Sequence, residues 1–130
     1  MSTFNFSFSF LERENNTNGK GRMSMRETGK DGFQAKLKKE LKEMFPGCII
    51  TKLDSGDIQG IPDLLILYKN KWATLEVKAN AKANRQPNQE YYVDQMDNMS
   101  FSRFIYPENK DIVLDELGYY FDIYVNGDEY

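Results

Sequence analysis

The sequence predicts an α/β domain: a central mixed four-stranded sheet flanked by helices, in the order α-β-β-β-α-β-α. Three observations predict it. Phe33, Leu37, Leu41 and Met44 recur at helical spacing. Three short apolar runs follow, CIITKL, DLLILY and WATLEVK, broken by Gly, Pro, Asp and Asn. A second helical stretch, a fourth short run (SRFIY) and a last helical stretch complete the order.

The first helix is expected from about Gly32 to Phe45, capped by Asp31 and ended by Pro46-Gly47. At about 100° per residue, Glu40 falls on the edge of its apolar stripe, whereas Lys36, Lys38, Lys39 and Lys42 lie mostly away from it. A carboxylate there needs a partner, either a peripheral salt bridge or a functional one. Cys48–Leu53 reads as a strand, with Cys48 as a small buried residue, and DSGDIQGIP as a loop in which Asp54 and Asp57 are turn residues or extra ligands. Asp63–Tyr68 and Trp72–Lys78 read as a hairpin around Lys69-Asn70, apolar on each face as in a sheet covered on both sides. After the polar loop ANAKANRQPN, a helix is expected from Pro87 to about Asn98, with Tyr92, Val93, Met96 and Met99 on its apolar side. Ser102–Tyr106 is the fourth strand, and Lys110–Leu117 the last helix, capped by Asn109 and closed by Gly118. Trp72, Phe101 and Phe104 read as core or support, and one of Tyr91 and Tyr92 as core, the other being able to stack on a base.

Residues 1–30 read as a flexible tail, too polar to offset the entropy of ordering, and residues 31–130 as a single domain. Within the tail, Phe4, Phe6, Phe8 and Phe10 alternate at strand period, which suits an added strand or a dimer contact; the plainer reading gives them no structural role, with Met23 or Met25 as alternative starts. The first residues lack the features of a secretory signal, and no apolar run approaches the roughly 18 residues of a membrane helix, so a cytoplasmic protein is expected. The closing GYYFDIYVNGDEY has no functional reading.

Composition narrows the chemistry. With no histidine and one cysteine, histidine-built zinc sites, Ser-His-Asp catalysis and Cys-His catalysis are excluded. Hydrolysis would run on carboxylates, lysine and a hard metal ion. The net charge of -3 is uneven: residues 1–85 hold 15 Lys/Arg against 10 Asp/Glu, and residues 86–130 hold 2 against 10. The basic part suits a phosphate backbone, and an unevenly charged solvated surface is the alternative.

The hairpin register places Tyr68 opposite Lys71, Leu65 opposite Thr74 and Asp63 opposite Glu76. Opposed carboxylates repel, and either a retained proton or a divalent cation between them relieves this. Lys78, two residues after Glu76, projects from the same face, where an ammonium can orient or deprotonate a water and offset phosphate charge. The bland alternative is a ladder of surface charges on an edge hairpin. Lys82 and Arg85 are phosphate contacts or solvated loop charges.

Pro62-Asp63 followed by Glu76-Val77-Lys78 resembles the signature of the PD-(D/E)XK nuclease superfamily. The wider IQGIPDLLILYKNKWATLEVK, RQPNQEYYVDQM and FIYPENK look like its small phage-encoded endonucleases, related to virus-type replication-repair nucleases and Holliday-junction resolvases. The resemblance spans about residues 33–117 and implies a restriction-endonuclease-like core. It implies that Asp63, Glu76 and the Val77 carbonyl bind Mg²⁺ or Mn²⁺ and that Lys78 positions the attacking water. Glu40 matches a helix carboxylate that supports the metal through water or a second ion. Gln89 matches a glutamine near the scissile phosphate, with Gln86 as the competing candidate. The products would be 5′-phosphate and 3′-hydroxyl ends.

The function expected is therefore metal-dependent cleavage of DNA, with branched or recombination DNA as leading substrate and a homodimer, since resolving a junction takes two cuts. If phage-encoded, it would act in the host cytoplasm. A catalytically inactive DNA-binding or interaction module on the same fold is the alternative. A structural metal protein is a third, for which two carboxylates and a lysine make a poor closed site.

Overall fold

The computed structural model describes residues 29–124, which fall into two units, one within Met1–Pro46 and one within Gly47–Tyr130. The readings placed on residues 1–28, including the Phe4–Phe10 alternation, and on residues 125–130 lie outside the described residues. The seven elements occur in the expected order.

The first unit contributes helix α1, Gly29–Met44. It starts earlier than the sequence suggests, after Gly29 at φ 61°, so Asp31 lies in the first turn and not at the cap. Its charge there still meets the positive end of the helix. The buried side consists of Gln34, Leu37, Glu40 and Leu41 with Gly32, while Phe33 and Met44 are half-buried. Phe45 continues the buried side, its N–H donating to the Leu41 carbonyl at 2.9 Å, and Gly47 at φ 90° ends the turn.

The second unit is built on a sheet in the order β1-β2-β3-β4: Ile49–Lys52, Leu64–Tyr68, Lys71–Val77 and Ser102–Ile105. The first two pairings are antiparallel and β3 runs parallel to β4, so the sheet is mixed. The hairpin register is the expected one, with Leu65 opposite Thr74 and Tyr68 opposite Lys71. Its two-residue turn holds Lys69 at φ 56°, a region that only a tight connection imposes on a lysine. On one face lie Leu64, Ile66, Tyr68, Ala73, Leu75 and Val77, all buried. On the other, Thr74 and Glu76 are buried too, so β3 is enclosed on both sides along its second half.

Helix α2, Pro87–Met99, crosses from β3 to β4 on that second face. Thr74 Oγ1 meets Met96 Sδ at 3.5 Å and donates to Ser102 Oγ at 2.8 Å, tying helix and both strands together. Pro87 takes the first helical turn, as expected. Met99 does not belong to the apolar side: it is 70% exposed, because the chain reverses there into β4. The β1–β2 half of the same face is open, with Ile49 60% and Leu67 40% exposed, so the expectation of a sheet covered on both sides fails there. Helix α2 packs mainly on β3 and β4, the strands that it connects. Cys48 precedes β1, half-buried, outside the strand it was expected to join. Trp72 is likewise only half-buried.

Helix α3, Lys110–Tyr120, buries Val113, Leu114 and Leu117. Gly118 does not close it. The helix runs on, and the ring of Tyr124 lies 2.3 Å from where a Cβ on Gly118 would be, so this glycine serves a close approach. Asn109 stands at the N-cap, but its side chain secures the preceding turn instead: Oδ1 accepts from the Tyr106 N–H at 2.9 Å and Nδ2 donates to the Phe104 carbonyl at 3.0 Å. Phe121 packs against Tyr68 at a ring separation of 5.4 Å. Among the described residues, no helix is long and apolar enough to cross a membrane.

Candidate active site

The site forms where β2 begins and β3 ends. The Leu53 N–H donates to the Asp63 carbonyl at 2.9 Å, extending the β1–β2 ladder by one step. The β2–β3 ladder ends at the Leu64–Leu75 pair, and that register continued by one residue would set Asp63 opposite Glu76. Asp63 is half-buried, and its Oδ2 accepts the Val77 N–H at 2.9 Å. Since N–H and C=O of one strand residue point to the same side, the Val77 carbonyl is directed toward the Asp63 side as well.

The loop before Asp63 is fixed from two directions. Asp54 Oδ1 accepts the Gly56 N–H at 2.8 Å, and the Asp57 N–H reaches the Asp54 carbonyl at 3.1 Å, so both aspartates act in the turn. Gly60, at φ 93°, lies against the first turn of α2, where an added Cβ would come within 2.4 Å of Asn88 Cβ. Asn88 Nδ2 donates to the Gln59 carbonyl at 3.4 Å. The start of α2 is thereby held beside the start of β2.

Glu76 is 1% exposed. Its Oε2 accepts from Gln89 Nε2 at 2.9 Å and lies 3.8 Å from Lys78 Nζ. Lys78 Nζ donates to Gln89 Oε1 at 2.8 Å and to the Asn84 carbonyl at 2.9 Å. Gln89 Oε1 also accepts the Gln86 N–H at 3.0 Å. The amide of Gln89 thus turns its donor to the carboxylate and its acceptor to the ammonium, the one orientation that satisfies both. An ammonium has three donors, and two of Lys78's are committed to these acceptors, which fixes its position beside Glu76.

These contacts bring together Asp63, Glu76, Val77, Lys78 and Gln89. Gln86 stands at the N-cap of α2, exposed, and meets the cluster through its backbone N–H, whereas Gln89 meets Glu76 and Lys78 with its side chain. Lys82 is exposed in the 79–86 loop, its N–H held by Asn80 Oδ1 at 2.9 Å. Arg85 is exposed and lies over the Phe104 ring, 3.9 Å from its centroid. Tyr91 is 57% exposed and meets Tyr92 edge-on. Glu40, on α1 in the other unit, is 1% exposed. Two participants escaped the sequence reading: the Asn84 carbonyl, for which no side-chain signal exists, and Phe104 beneath Arg85, whose place beside Glu76 depends on the parallel register of β3 and β4.

Among the described residues no three His, Cys, Asp or Glu side chains converge as a metal-holding group. The donors available are two carboxylates and a peptide carbonyl, all oxygen. That set fits a hard divalent cation that keeps several waters and completes its shell with a substrate phosphate. A closed structural site would need more ligands. Comparisons with protein-family models, with curated proteins and with solved structures find no match to this chain.

Proposed function

We propose that the protein is a metal-dependent endonuclease with a restriction-endonuclease-like core, hydrolysing phosphodiester bonds of DNA, and that branched or recombination DNA is its leading substrate. The observation that carries this reading is the buried Glu76 held with Lys78 by one glutamine, with the Asp63 carboxylate on the N–H of the next residue, Val77. Two carboxylates, an ammonium and no histidine suit hydrolysis assisted by a hard cation and little else.

Asp63, Glu76 and the Val77 carbonyl would hold Mg²⁺, with Mn²⁺ as substitute. When bound, such an ion lowers the pKa of a coordinated water and polarises the phosphoryl oxygen. Lys78, fixed by Asn84 and Gln89, orients the attacking water and offsets charge gathering on the phosphate. The water oxygen forms a bond to phosphorus, the bond from phosphorus to the 3′ oxygen breaks, and a proton passes to that oxygen. The products are a 5′-phosphate and a 3′-hydroxyl. Lys82 and Arg85 on the loop beside the site supply phosphate contacts. Paired cuts in a junction would require a homodimer acting in the cytoplasm, that of the host if the chain is phage-encoded.

The test is cleavage of labelled four-way-junction, linear duplex and single-stranded DNA with Mg²⁺ or EDTA, comparing wild type with folded Glu76→Ala and Lys78→Ala. Glu40→Gln in the same assay tests the part that the resemblance gives to that residue. Mg²⁺-dependent cutting lost in both alanine variants supports the reading, and the substrate ranking separates a resolvase from a general nuclease. A wild type that cuts nothing, or variants that cut equally, would leave a DNA-binding or interaction module as the better account.

A further inference from the structure

Two arginines of the second unit lie over phenylalanine rings, and they differ in one respect. Arg103 sits 4.2 Å from the Phe101 centroid, and its guanidinium is committed to Asp97, Glu116 and the Ser102 carbonyl. Arg85 sits 3.9 Å from the Phe104 centroid and forms no ion pair or hydrogen bond among the described residues. The first stack closes a network. The second presents a guanidinium that rests over a ring and leaves its donors to solvent.

Its location relates it to the candidate site. Phe104 is the register partner of Glu76, so the two side chains rise from one face on neighbouring strands, about 5 Å apart. Arg85 follows Asn84, whose carbonyl holds Lys78 Nζ at 2.9 Å. The loop that carries the arginine is also secured by the Ala81 N–H on Glu108 Oε1 at 3.2 Å and the Ala83 N–H on the Asn80 carbonyl at 3.2 Å. Backbone and side chain of Arg85 are therefore both placed with respect to Glu76 and Lys78.

We propose that Phe104 is a positioning residue: it holds the Arg85 guanidinium flat beside the Glu76–Lys78 pair, so that Arg85 grips a backbone phosphate adjacent to the one cut. The proposal rests on the nuclease reading for the word "cut", but the grip itself is a binding property and is measured separately. A planar guanidinium offers paired N–H donors to phosphate oxygens, and a ring under its face removes the freedom that a solvated arginine would lose on binding.

The experiment uses the full chain and fluorescently labelled duplex and four-way-junction DNA. Binding is read by anisotropy in EDTA over a series of salt concentrations, and kcat and KM are read in Mg²⁺. Arg85→Ala and Phe104→Leu should each weaken binding about three- to ten-fold. Both should reduce the slope of log affinity against log salt by about one, the signature of one lost phosphate contact. Phe104→Tyr, which keeps the ring, should bind as wild type. In an Arg85→Ala background Phe104→Leu should add nothing to either readout. Where cleavage occurs, KM should rise with kcat little changed.

Phe104→Leu weakening binding equally in both backgrounds overturns the proposal, since Phe104 would then act through the fold. Arg85→Ala binding like wild type, with its salt slope unchanged, overturns it as well and leaves the stack as cover for an aromatic ring. A wild type that binds no DNA overturns the grip, and one that also cuts none in Mg²⁺ overturns the nuclease reading. Binding that depends on Arg85 and Phe104 without any cleavage removes the nuclease reading and keeps the grip.

Discussion

Gln89 and Glu76 are joined by a hydrogen bond of 2.9 Å from the amide Nε2 to the carboxylate Oε2, while the other end of the same amide accepts from Lys78 at 2.8 Å. One neutral side chain thereby sets the spacing of a buried acid and its neighbouring cation. Hydrogen bonds to charged groups contribute more than neutral ones, and these are partly buried. Gln89→Ala should lower stability by about 1–3 kcal/mol in urea unfolding. Gln89→Glu should be less stable still, since it sets a second carboxylate against Glu76. A glutamate variant as stable as wild type would show that the bridge does not hold in solution.

Asp63 holds the Val77 peptide as well as offering a carboxylate to the proposed metal, and two substitutions separate these roles. Asp63→Ala leaves a part-buried N–H without its acceptor and should cost about 1–2 kcal/mol. Asp63→Asn keeps a carbonyl oxygen for that N–H and should cost less. Both remove the negative charge, so calorimetric titration with Mg²⁺ or Mn²⁺ should show weakened binding in both. Equal stability loss in the two variants would mean that the Val77 contact contributes nothing.

Gly60 is required twice over, by its φ of 93° and by Asn88, whose backbone carbon lies 2.9 Å from the position of an added Cβ. Gly60→Ala should destabilise by about 1–3 kcal/mol and loosen the seat of α2. Trimming the neighbour with Asn88→Gly should not restore stability, because the backbone collision remains. Thermal melts of the single and double variants decide this.

The buried hydroxyls of Thr74 and Ser102, 2.8 Å apart, link β3 to β4. Thr74→Val strands its partner and should cost about 1–2 kcal/mol. Adding Ser102→Ala should recover part of that loss, since removing both polar groups is better tolerated than removing one. A double variant showing the plain sum of the single losses would mean that the hydroxyls do not interact.

The order of elements and the hairpin register were legible because they depend on neighbours in sequence: the two-residue turn at Lys69-Asn70 sets which residues of β2 and β3 face each other. The ladder itself stops at Leu64–Leu75, one residue short of Asp63 and Glu76. What escaped depends on partners distant in sequence. Gly118 has the local look of a helix end, and only the arrival of Tyr124 reveals why it is a glycine inside one. Ile49 and Leu67 carry the same apolar signal whether or not a helix lies over them, so their exposure could not be read. Gln89 was placed near the site by the resemblance alone. Its service to Glu76 and Lys78 together arises from the angle at which α2 meets β3, set in part by Gly60 and Asn88.

The short edge strand β1 bears on how the protein behaves when crowded. Its outer edge pairs with no strand among the described residues, and its first residue, Ile49, is exposed. Such an edge is a template on which further chains can stack. Here the template is four residues long and ends in Lys52, shorter than the six or seven residues that a self-propagating zipper of strands takes up. Lysine at the edge repels its own copy in the next chain. A strand this short, with a lysine at its end, offers little length for such stacking.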